Sequence, residues 1–301
     1  MTEKKHDVLT IGRSSIDLYS QNIGAPFNDI KGFDAFVGGS PLNIAVGCAR
    51  LGVNASLLTG VGDDKVGTFI LNFLENEGVN TQCISTIKGT RSSAVVLGIE
   101  PPDKFPLVYY RDNAADSQIT IDDVIKAKIN DYKIVLLNGT ALNIEPTRSA
   151  TFFAAEVADK NDIDVVLDLD FRADQWHDYR AFGLTIRALL SKVKIAIGTE
   201  EEILAATMSS SSQVTIKDQQ ISAPEIKGDI DSSIQQLLAL GIETLIVKKG
   251  SAGASIHYPD GSKKDVPGFP VEILNVLGAG DAFASGFLYG ILQGWDLYKS
   301  C

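Results

Sequence analysis

Short runs of apolar, often β-branched residues alternate with longer stretches of helical period along most of the chain. Each run is continuously apolar, as strands are when both faces of a sheet are covered. The predicted strands are 8–11, 55–58, 134–137, 165–167, 194–197 and 244–247. The predicted helices are 43–51, 66–77, 146–159, 179–190, 200–206, 232–240 and 283–293. This alternation predicts an α/β fold, a doubly wound and mostly parallel sheet with helices on both faces.

Two segments interrupt this rhythm. Residues 13–37 have no helical period, and residues 90–111 indicate two strands, 92–99 and 106–111, around a Pro-rich turn. Together they predict a small β-sheet set into the α/β body. Because such a sheet has no helices of its own, we expect it to act as a lid over a substrate site and to pair with a second copy.

The organisation that follows has three parts. An α/β core, expected to bind nucleotide and substrate, comprises residues 1–12, 38–87 and 117–301. A β lid comprises residues 13–37 and 88–116. Within the core, residues 208–229 form a polar, serine-rich surface insertion. The outer face of the lid is expected to stay apolar, with contributions from Phe33, Phe36, Val95 and Leu97. The expected assembly is a two-fold homodimer through the lids.

Composition narrows the class of protein. The 301 residues are 45% hydrophobic and 22% charged, with a net charge of −11. A disordered chain has fewer apolar residues, and an acidic chain disfavours nucleic acid and anionic membranes as partners. The three cysteines show no CxxC spacing, which argues against a disulfide framework or a zinc site. With no signal peptide and no apolar run of about 18 residues, a cytoplasmic protein is expected.

The strongest candidate for chemistry is the sequence Gly-Ala-Gly-Asp at residues 278–281, which opens a predicted helix. Small residues leave backbone N–H groups bare at a helix N-terminus, where they and the helix dipole bind an anion. Asp281 then places a carboxylate beside that anion, as a base that deprotonates an attacking hydroxyl would. The alternative is that Asp281 only caps the helix, because short glycine motifs are weak evidence.

Further candidates lie near the N-terminus. Gly38 and Gly39 precede a predicted helix and allow close backbone approach to a ligand. Asn43, one turn into that helix, can donate to and accept from a polyol. Asp17 follows the first predicted strand, and ligands of open α/β sheets bind beyond the carboxyl ends of strands. A plain turn with solvated polar side chains is the alternative for each.

Charged residues at two strand ends raise the question of an anionic substrate. Asp170 and Arg172 follow the strand at 165–167, and Arg111 ends the strand at 106–111. Arginine offers a fixed fork of donors to a carboxylate or phosphate, although a structural ion pair is the alternative. The chain has no GxxxxGK[ST], no GxGxxG after its first strand, no HRD loop and no GxSxG. The absence of these motifs argues against a P-loop NTPase, a dinucleotide-binding protein, a protein kinase and an α/β-hydrolase.

Taken together, the chain resembles the PfkB/ribokinase family of carbohydrate kinases over essentially its whole length. The N-terminal signature of that family is matched by Gly-Gly-Ser-Pro-Leu-Asn-Ile-Ala at 38–45, and the C-terminal one by Asn-Val-Leu-Gly-Ala-Gly-Asp at 275–281. The resemblance implies a ribokinase-like fold and phosphoryl transfer from ATP, with Mg²⁺, to the primary hydroxyl of a sugar. It also implies that the family's C-terminal segment beside the adenine is shortened here.

The resemblance assigns roles to individual residues. Asp281 would be the catalytic base, and Gly278, Ala279 and Gly280 the anion hole. The implied substrate site consists of Asp17, Gly38, Gly39, Asn43, Tyr109, Arg111, Asp170 and Arg172. The implied nucleotide site consists of Thr199, Glu202, Lys248, Gly250 and Gly253, with Glu202 acting on Mg²⁺ indirectly through the phosphates. Asn275 and Val276 replace the family's Asp-Thr pair, so the resemblance leaves a monovalent cation open.

Several strings are similar to the sugar-acid kinases of this family, among them Gly-Arg-Ser-Ser-Ile-Asp-Leu-Tyr at 12–19 and Tyr-Arg-Asp-Asn-Ala-Ala-Asp at 110–116. They imply 5-dehydro-2-deoxy-D-gluconate, an intermediate of myo-inositol catabolism, as the substrate. The alternatives are 2-dehydro-3-deoxygluconate, another sugar such as fructose or ribose, and a nucleoside stacked on Tyr109 and Tyr110. A catalytically inactive sugar sensor is a further alternative, and it would have lost Asp281 or the anion hole.

Overall fold

The computed structural model describes residues 4–100, 105–216, 224–272 and 276–301. Its strands are β1 (His6–Ile11), β2 (Ser15–Ser20), β3 (Phe33–Gly38), β4 (Ala55–Gly62), β5 (Ile84–Ile87), β6 (Ser93–Leu97), β7 (Leu107–Tyr110), β8 (Tyr132–Asn138), β9 (Asp164–Asp168), β10 (Ile195–Thr199), β11 (Val214–Thr215), β12 (Glu225–Ile226), β13 (Thr244–Lys248), β14 (Ala254–His257) and β15 (Lys263–Val266). Its helices are α1 (Ser40–Arg50), α2 (Lys65–Asn76), α3 (Ile121–Ala127), α4 (Thr147–Lys160), α5 (Tyr179–Leu189), α6 (Glu200–Thr207), α7 (Ile230–Leu238), α8 (Ala279–Leu292) and α9 (Leu297–Ser300).

A large sheet with the strand order β15-β14-β13-β10-β9-β8-β1-β4-β5 forms the centre of the described structure. The strands from β13 to β5 run parallel, and β14 and β15 add an antiparallel edge. The predicted α/β fold is therefore confirmed. Each predicted strand of this sheet begins within two residues of an observed strand, because continuously apolar runs fit a sheet that is covered on both faces.

Helices cover both faces of the large sheet. Alternate residues of β8 point to opposite sides, so Val135 and Leu137 join one hydrophobic core while Ile134 and Leu136 join the other. The first core packs against α4, α5, α6 and α7, and the second against α1 and α8. The short helix α3 was not predicted. It is seven residues long and depends on a capping box in which Thr120 and Asp123 bond each other's backbone.

A separate small sheet has the strand order β3-β2-β6-β7, with β2 and β6 parallel and the other pairs antiparallel. Its register aligns Asp17 with Phe36 and Val95, and Val95 with Tyr109, so these side chains share one face. We call this the inner face, because Val95 is 3% exposed. The prediction that Phe36, Val95 and Leu97 form the outer face was wrong.

The outer face of the small sheet carries the alternate residues. Phe33 is 37% exposed, Val108 44% and Tyr110 62%, and the partly buried Leu18 and Val96 lie between them. The sequence did not reveal this parity because β6, Ser-Ala-Val-Val-Leu, is apolar at almost every position. A shift of one residue exchanges the two faces of a strand.

Part of the predicted insertion and one predicted turn lie outside the described residues, namely 217–223 and 101–104. Around the first gap, β11 and β12 pair antiparallel. Met208 and Ile226 are buried in the core, so the two ends of the insertion are anchored. No helix in the ranges described is both long enough and apolar enough to cross a membrane.

Candidate active site

Close packing of α1 against α8 brings the N-terminal and C-terminal glycine motifs together. A Cβ at Gly47 of α1 would overlap the side chain of Ser285 on α8, so only glycine permits this approach. Ser285 Oγ donates to the carbonyl of Asp281 at 2.8 Å and also lies 3.3 Å from the carbonyl of Ile44 on α1. Both helices begin after a glycine with positive φ, Gly39 at 109° and Gly278 at 76°. The two helix N-termini therefore lie side by side.

The side chain of Asn43 meets that of Asp281 at this junction. Asn43 Nδ2 donates to Asp281 Oδ2 at 2.8 Å, across 238 residues of sequence. Burial raises the pKa of the Asp281 carboxyl above its ordinary value, while hydrogen bonds from Asn43 and Ser40 oppose the shift. An oriented carboxylate with a raised pKa has the properties of a general base.

The predicted anion site lies at the N-terminus of α8. The first four amides of a helix lack intrahelical acceptors. Ala279 donates to the carbonyl of Val276 at 3.2 Å, which leaves the amides of Gly280 and Asp281 to face a bound anion. A Cβ at Gly280 would lie 3.4 Å from Lys248 Nζ, so an ammonium group stands directly beside this site. Helix dipole and lysine both favour negative charge here.

Lys248, at the end of β13, is held by two carboxylates. Its Nζ lies 3.2 Å from Asp168 Oδ1, at the end of β9, and 3.8 Å from Glu202 Oε2, on α6. Burial alone would lower the pKa of Lys248, but these carboxylates outweigh burial and raise the pKa instead. Burial raises the pKa of Asp168 as well, although the lysine opposes it. The three groups thus form a buried network with alternating charge.

Thr199 and Glu202 also have a structural task. Thr199 N–H donates to Glu202 Oε2 at 2.8 Å, and Glu202 N–H donates to Thr199 Oγ1 at 3.2 Å, which completes a capping box at the start of α6. The sequence Thr-Glu-Glu-Glu carried this signature. The cap fixes the Glu202 carboxylate at the edge of the large sheet, where it reaches Lys248.

The substrate side of the site lies under the small sheet. A Cβ at Gly38 would overlap the Asp17 carboxylate, so glycine makes room for that side chain. Asp17 Oδ1 accepts from Ser15 Oγ at 2.6 Å, and Asp170 Oδ1 pairs with Arg172 Nη2 at 2.6 Å. Both carboxylates retain oxygens that can accept hydrogen bonds from the hydroxyls of a polyol.

Three arginines lie around Asp170 and Tyr109. Arg172 pairs with Asp170 as described, and Arg111 forms a buried ion pair with Asp116 at 2.7 Å. Arg13, which the sequence analysis did not single out, places its guanidinium 5.0 Å from the centre of the Tyr109 ring. Arg13 lies two residues after the end of β1, at the sheet edge where the sequence predicted Asp17 to bind a ligand. This position in the sequence could have identified Arg13 as a candidate.

A cavity of about 480 Å³ opens at this sheet edge, and eight of the seventeen predicted site residues line it, namely Asp170, Arg172, Thr199, Glu202, Lys248, Gly278, Gly280 and Asp281. Asp17, Gly38, Gly39 and Asn43 are not among its lining residues, which also include Asp168, Phe105, Pro224 and Glu225. Tyr109 and Arg111 line a neighbouring cavity of about 430 Å³. Gly250 and Gly253 lie in the turn between β13 and β14, with φ of 56° and 88°. Asn275 falls outside the described residues.

The profile of the pfkB family carbohydrate kinases matches residues 5–301. The chain is 32% identical over 296 residues to the 5-dehydro-2-deoxygluconokinase of Clostridium tetani, covering 98% of this chain and 84% of that protein. It is 31% identical over 299 residues to the 5-dehydro-2-deoxygluconokinase of Geobacillus thermodenitrificans, covering 99% and 85%.

Solved structures of sugar kinases share the fold. A sugar kinase of Pyrococcus horikoshii in complex with ATP is 26% identical, with a TM-score of 0.80 and coverage of 97% of this chain and 88% of that one. The PfkB protein of Polaromonas sp. JS666 is 22% identical, with a TM-score of 0.82 and coverage of 98% and 92%.

Proposed function

We propose, since this chain belongs to the pfkB family of carbohydrate kinases, that it transfers the γ-phosphoryl group of ATP to the primary hydroxyl of a sugar acid. The first candidate is 5-dehydro-2-deoxygluconate, which the relatives from Clostridium and Geobacillus phosphorylate according to their names. A single observation carries this proposal. The hydrogen bond between Asn43 and Asp281 sets a base beside a helix N-terminus that is open to phosphate.

Asp281 is proposed to accept the proton of the attacking hydroxyl. Its carboxylate lies at the junction of both glycine motifs, and the amides of Gly280 and Asp281 hold the charge of the transferring phosphoryl group. Asn43, together with Asp17 and the backbone at Gly38 and Gly39, would bind the sugar hydroxyls. In-line transfer needs little covalent chemistry, so positioning and charge neutralisation do most of the catalysis.

The nucleotide side fits a phosphate donor. Family membership implies ATP with Mg²⁺, which neutralises phosphate charge when bound. Lys248 and the N-terminus of α8 would face the phosphates, Thr199 fixes Glu202 toward them, and Gly250 and Gly253 shape the turn beyond β13. No group of three or more His, Cys, Asp or Glu side chains in the described part of the chain could hold a metal alone. Glu202 would therefore act on Mg²⁺ through phosphate oxygens and water.

The test is the substitution Asp281→Asn in a coupled assay of ADP release. It keeps the shape and removes the base, so kcat should fall by about 10²–10⁴ while the affinity for the sugar acid changes little. Asp265→Asn, at an exposed pair on β15, is the matched control. Turnover by Asp281→Asn within a few-fold of the unchanged protein would contradict the assignment.

A substrate panel decides between the candidate acceptors. It should contain 5-dehydro-2-deoxygluconate, 2-dehydro-3-deoxygluconate, fructose, ribose and nucleosides. Tyr110 points to the outer face of the small sheet and is 62% exposed, so it does not stack with Tyr109 over a base. We therefore expect nucleosides to give the lowest rates. Preference for a neutral sugar over both acids would overturn the proposed substrate class.

We also propose that the small sheet is a lid and that two copies of the chain pair through its outer face. The outer face exposes Phe33, Val108 and Tyr110, all apolar or aromatic, on the two edge strands β3 and β7. Exposed apolar patches of this kind mark interaction sites, and a two-fold axis buries the same patch on both copies. Closure of the lid would exclude water from the phosphoryl transfer.

A further inference from the structure

Arg13 is a buried cation with donors to spare. It lies in the turn between β1 and β2 and is 8% exposed. Within the described part of the chain its guanidinium makes one hydrogen bond, from Nη1 to Ser15 Oγ at 3.2 Å. Its Nε is buried and has no partner. Because an unpaired buried donor is costly, such a group in a native site points to a ligand that completes it.

Arg13 lies next to residues that the sequence predicted to bind the substrate. The Ser15 hydroxyl that accepts from Arg13 also donates to Asp17 Oδ1 at 2.6 Å. A Cβ at Gly39 would overlap the carbonyl of Arg13, so the turn is pressed against the N-terminal glycine motif. Burial lowers the pKa of Arg13, but Tyr109 and the carboxylates of Asp17 and Asp170 outweigh burial and raise the pKa.

Arg111, the arginine that the sequence favoured at this site, is committed elsewhere. It donates to Asp116 Oδ2 at 2.7 Å, to Gln175 Oε1 at 2.8 Å and to the carbonyl of Thr140 at 3.0 Å. These bonds tie the end of β7 to the core. Among the nitrogens of Arg111, Nη2 alone lacks a hydrogen-bond partner within the residues that the structure describes. The structure therefore gives Arg111 a mainly structural role and leaves more donors available on Arg13.

We propose that Arg13 is the specificity-determining residue of the kinase, binding the carboxylate of the sugar acid at the end of the substrate opposite Asp281. Tyr109 supports the guanidinium from one face. A planar guanidinium can donate to both carboxylate oxygens, and Asp17 and Asp170 can accept hydrogen bonds from the hydroxyls of the same substrate. This inference rests on the proposed sugar-acid kinase function.

The experiment compares two substrates, the sugar acid and its neutral primary amide, which has nearly the same shape. We measure kcat and KM for both with the unchanged protein and with Arg13→Met, Arg13→Lys, Arg111→Met and Arg50→Met. Arg50 is an exposed arginine paired with Glu77 and serves as the control. For Arg13→Met, kcat/KM for the acid should fall about 10- to 100-fold through KM, the range expected for a lost charge-assisted bond. The preference for acid over amide should disappear.

The other variants separate recognition from folding. Arg13→Lys keeps the charge without the fork, so it should retain part of the acid preference. Arg111→Met should lower activity on acid and amide equally. An Arg13→Met variant that keeps the preference for the acid, or that loses activity on acid and amide in parallel, overturns the inference. An Arg13→Lys variant with normal activity on the amide but no preference for the acid supports it, and shows that the planar guanidinium is needed and not its charge alone. If the unchanged protein prefers neutral sugars, the proposed function itself has failed.

Discussion

Replacing Asn43 with alanine tests how the active-site carboxylate is tuned. The bond from Asn43 Nδ2 to Asp281 Oδ2, at 2.8 Å, is made to the ionised carboxylate and holds its pKa down against burial. A hydrogen bond to a charged group is worth about 1.5–3 kcal/mol, and one pKa unit corresponds to about 1.36 kcal/mol. Since water replaces part of the lost bond, we expect the pKa of Asp281 to rise by about one unit.

The sign of the effect follows from the role of the base. Asp281 must be ionised to accept a proton, so kcat/KM rises with pH through the pKa of Asp281 in the free enzyme. In Asn43→Ala this rising limb should move to higher pH, and activity should fall most in acid. Ionisation of the ATP phosphates is common to both proteins and cancels from the difference between their profiles.

The assay is kcat/KM for the sugar acid from acid to mildly alkaline pH, by coupled detection of ADP. Asn161→Ala is the control, because Asn161 Nδ2 donates only to a backbone carbonyl at the end of α4. The Asn161→Ala profile should match the unchanged protein. An Asn43→Ala limb at the original pH, or the same limb persisting in Asp281→Asn, would refute the assignment of the limb to Asp281.

Two further predictions concern charge and assembly. Lys248→Met leaves two buried carboxylates without their cation, so it should lower the free energy of unfolding in urea by about 3–5 kcal/mol and raise the KM for ATP. The control Lys249→Met removes the neighbouring lysine, which pairs with the exposed Asp265, and should cost at most about 1 kcal/mol. Equal losses of stability in the two variants would contradict a buried network. Val108→Asp places a charge on the outer face of the small sheet and should convert a dimer to a monomer in light scattering at micromolar concentration, while a monomer for the unchanged chain would refute pairing through that face.

The sequence predicted the large sheet well because its strands are buried on both faces. The runs at 8–11 and 134–137 are apolar at nearly every position, and only a doubly covered sheet accommodates such runs. The two faces of the small sheet were harder to predict. Its β6 strand is also apolar almost throughout, yet one face is buried and the other partly exposed. No pattern of polar residues distinguishes the two faces, so the parity became clear only from the register with Asp17 and Tyr109.

The sequence predicted the local glycine motifs of the candidate site but not the contacts between distant parts of the chain. Gly-Ala-Gly-Asp at 278–281 predicts a helix N-terminus with bare amides, but the contact between Asp281 and Asn43 depends on how α1 packs against α8. Arg13 was missed because its partner Tyr109 lies on another strand of the small sheet. The sequence cannot distinguish Arg111 from Arg13, because both are arginines near the predicted lid. The structure distinguishes them by their contacts, since Arg111 forms an ion pair with Asp116 and Arg13 keeps unused donors.

The parallel pairing of β2 with β6 has a consequence for the order in which the protein folds. Ser93 Oγ bonds the carbonyl of Ser14, 79 residues earlier, and the chain between them builds β4 and α2 of the core. Closing so long a loop in an unfolded chain is entropically unfavourable, so the pairing waits until the core has drawn the two strands together. The small sheet should then order last and open first, which amide hydrogen exchange would detect as faster exchange in β2 and β6 than in β1 and β8. A partly unfolded form would keep the proposed phosphate site at α8 intact while losing the proposed contacts of the small sheet with the acceptor.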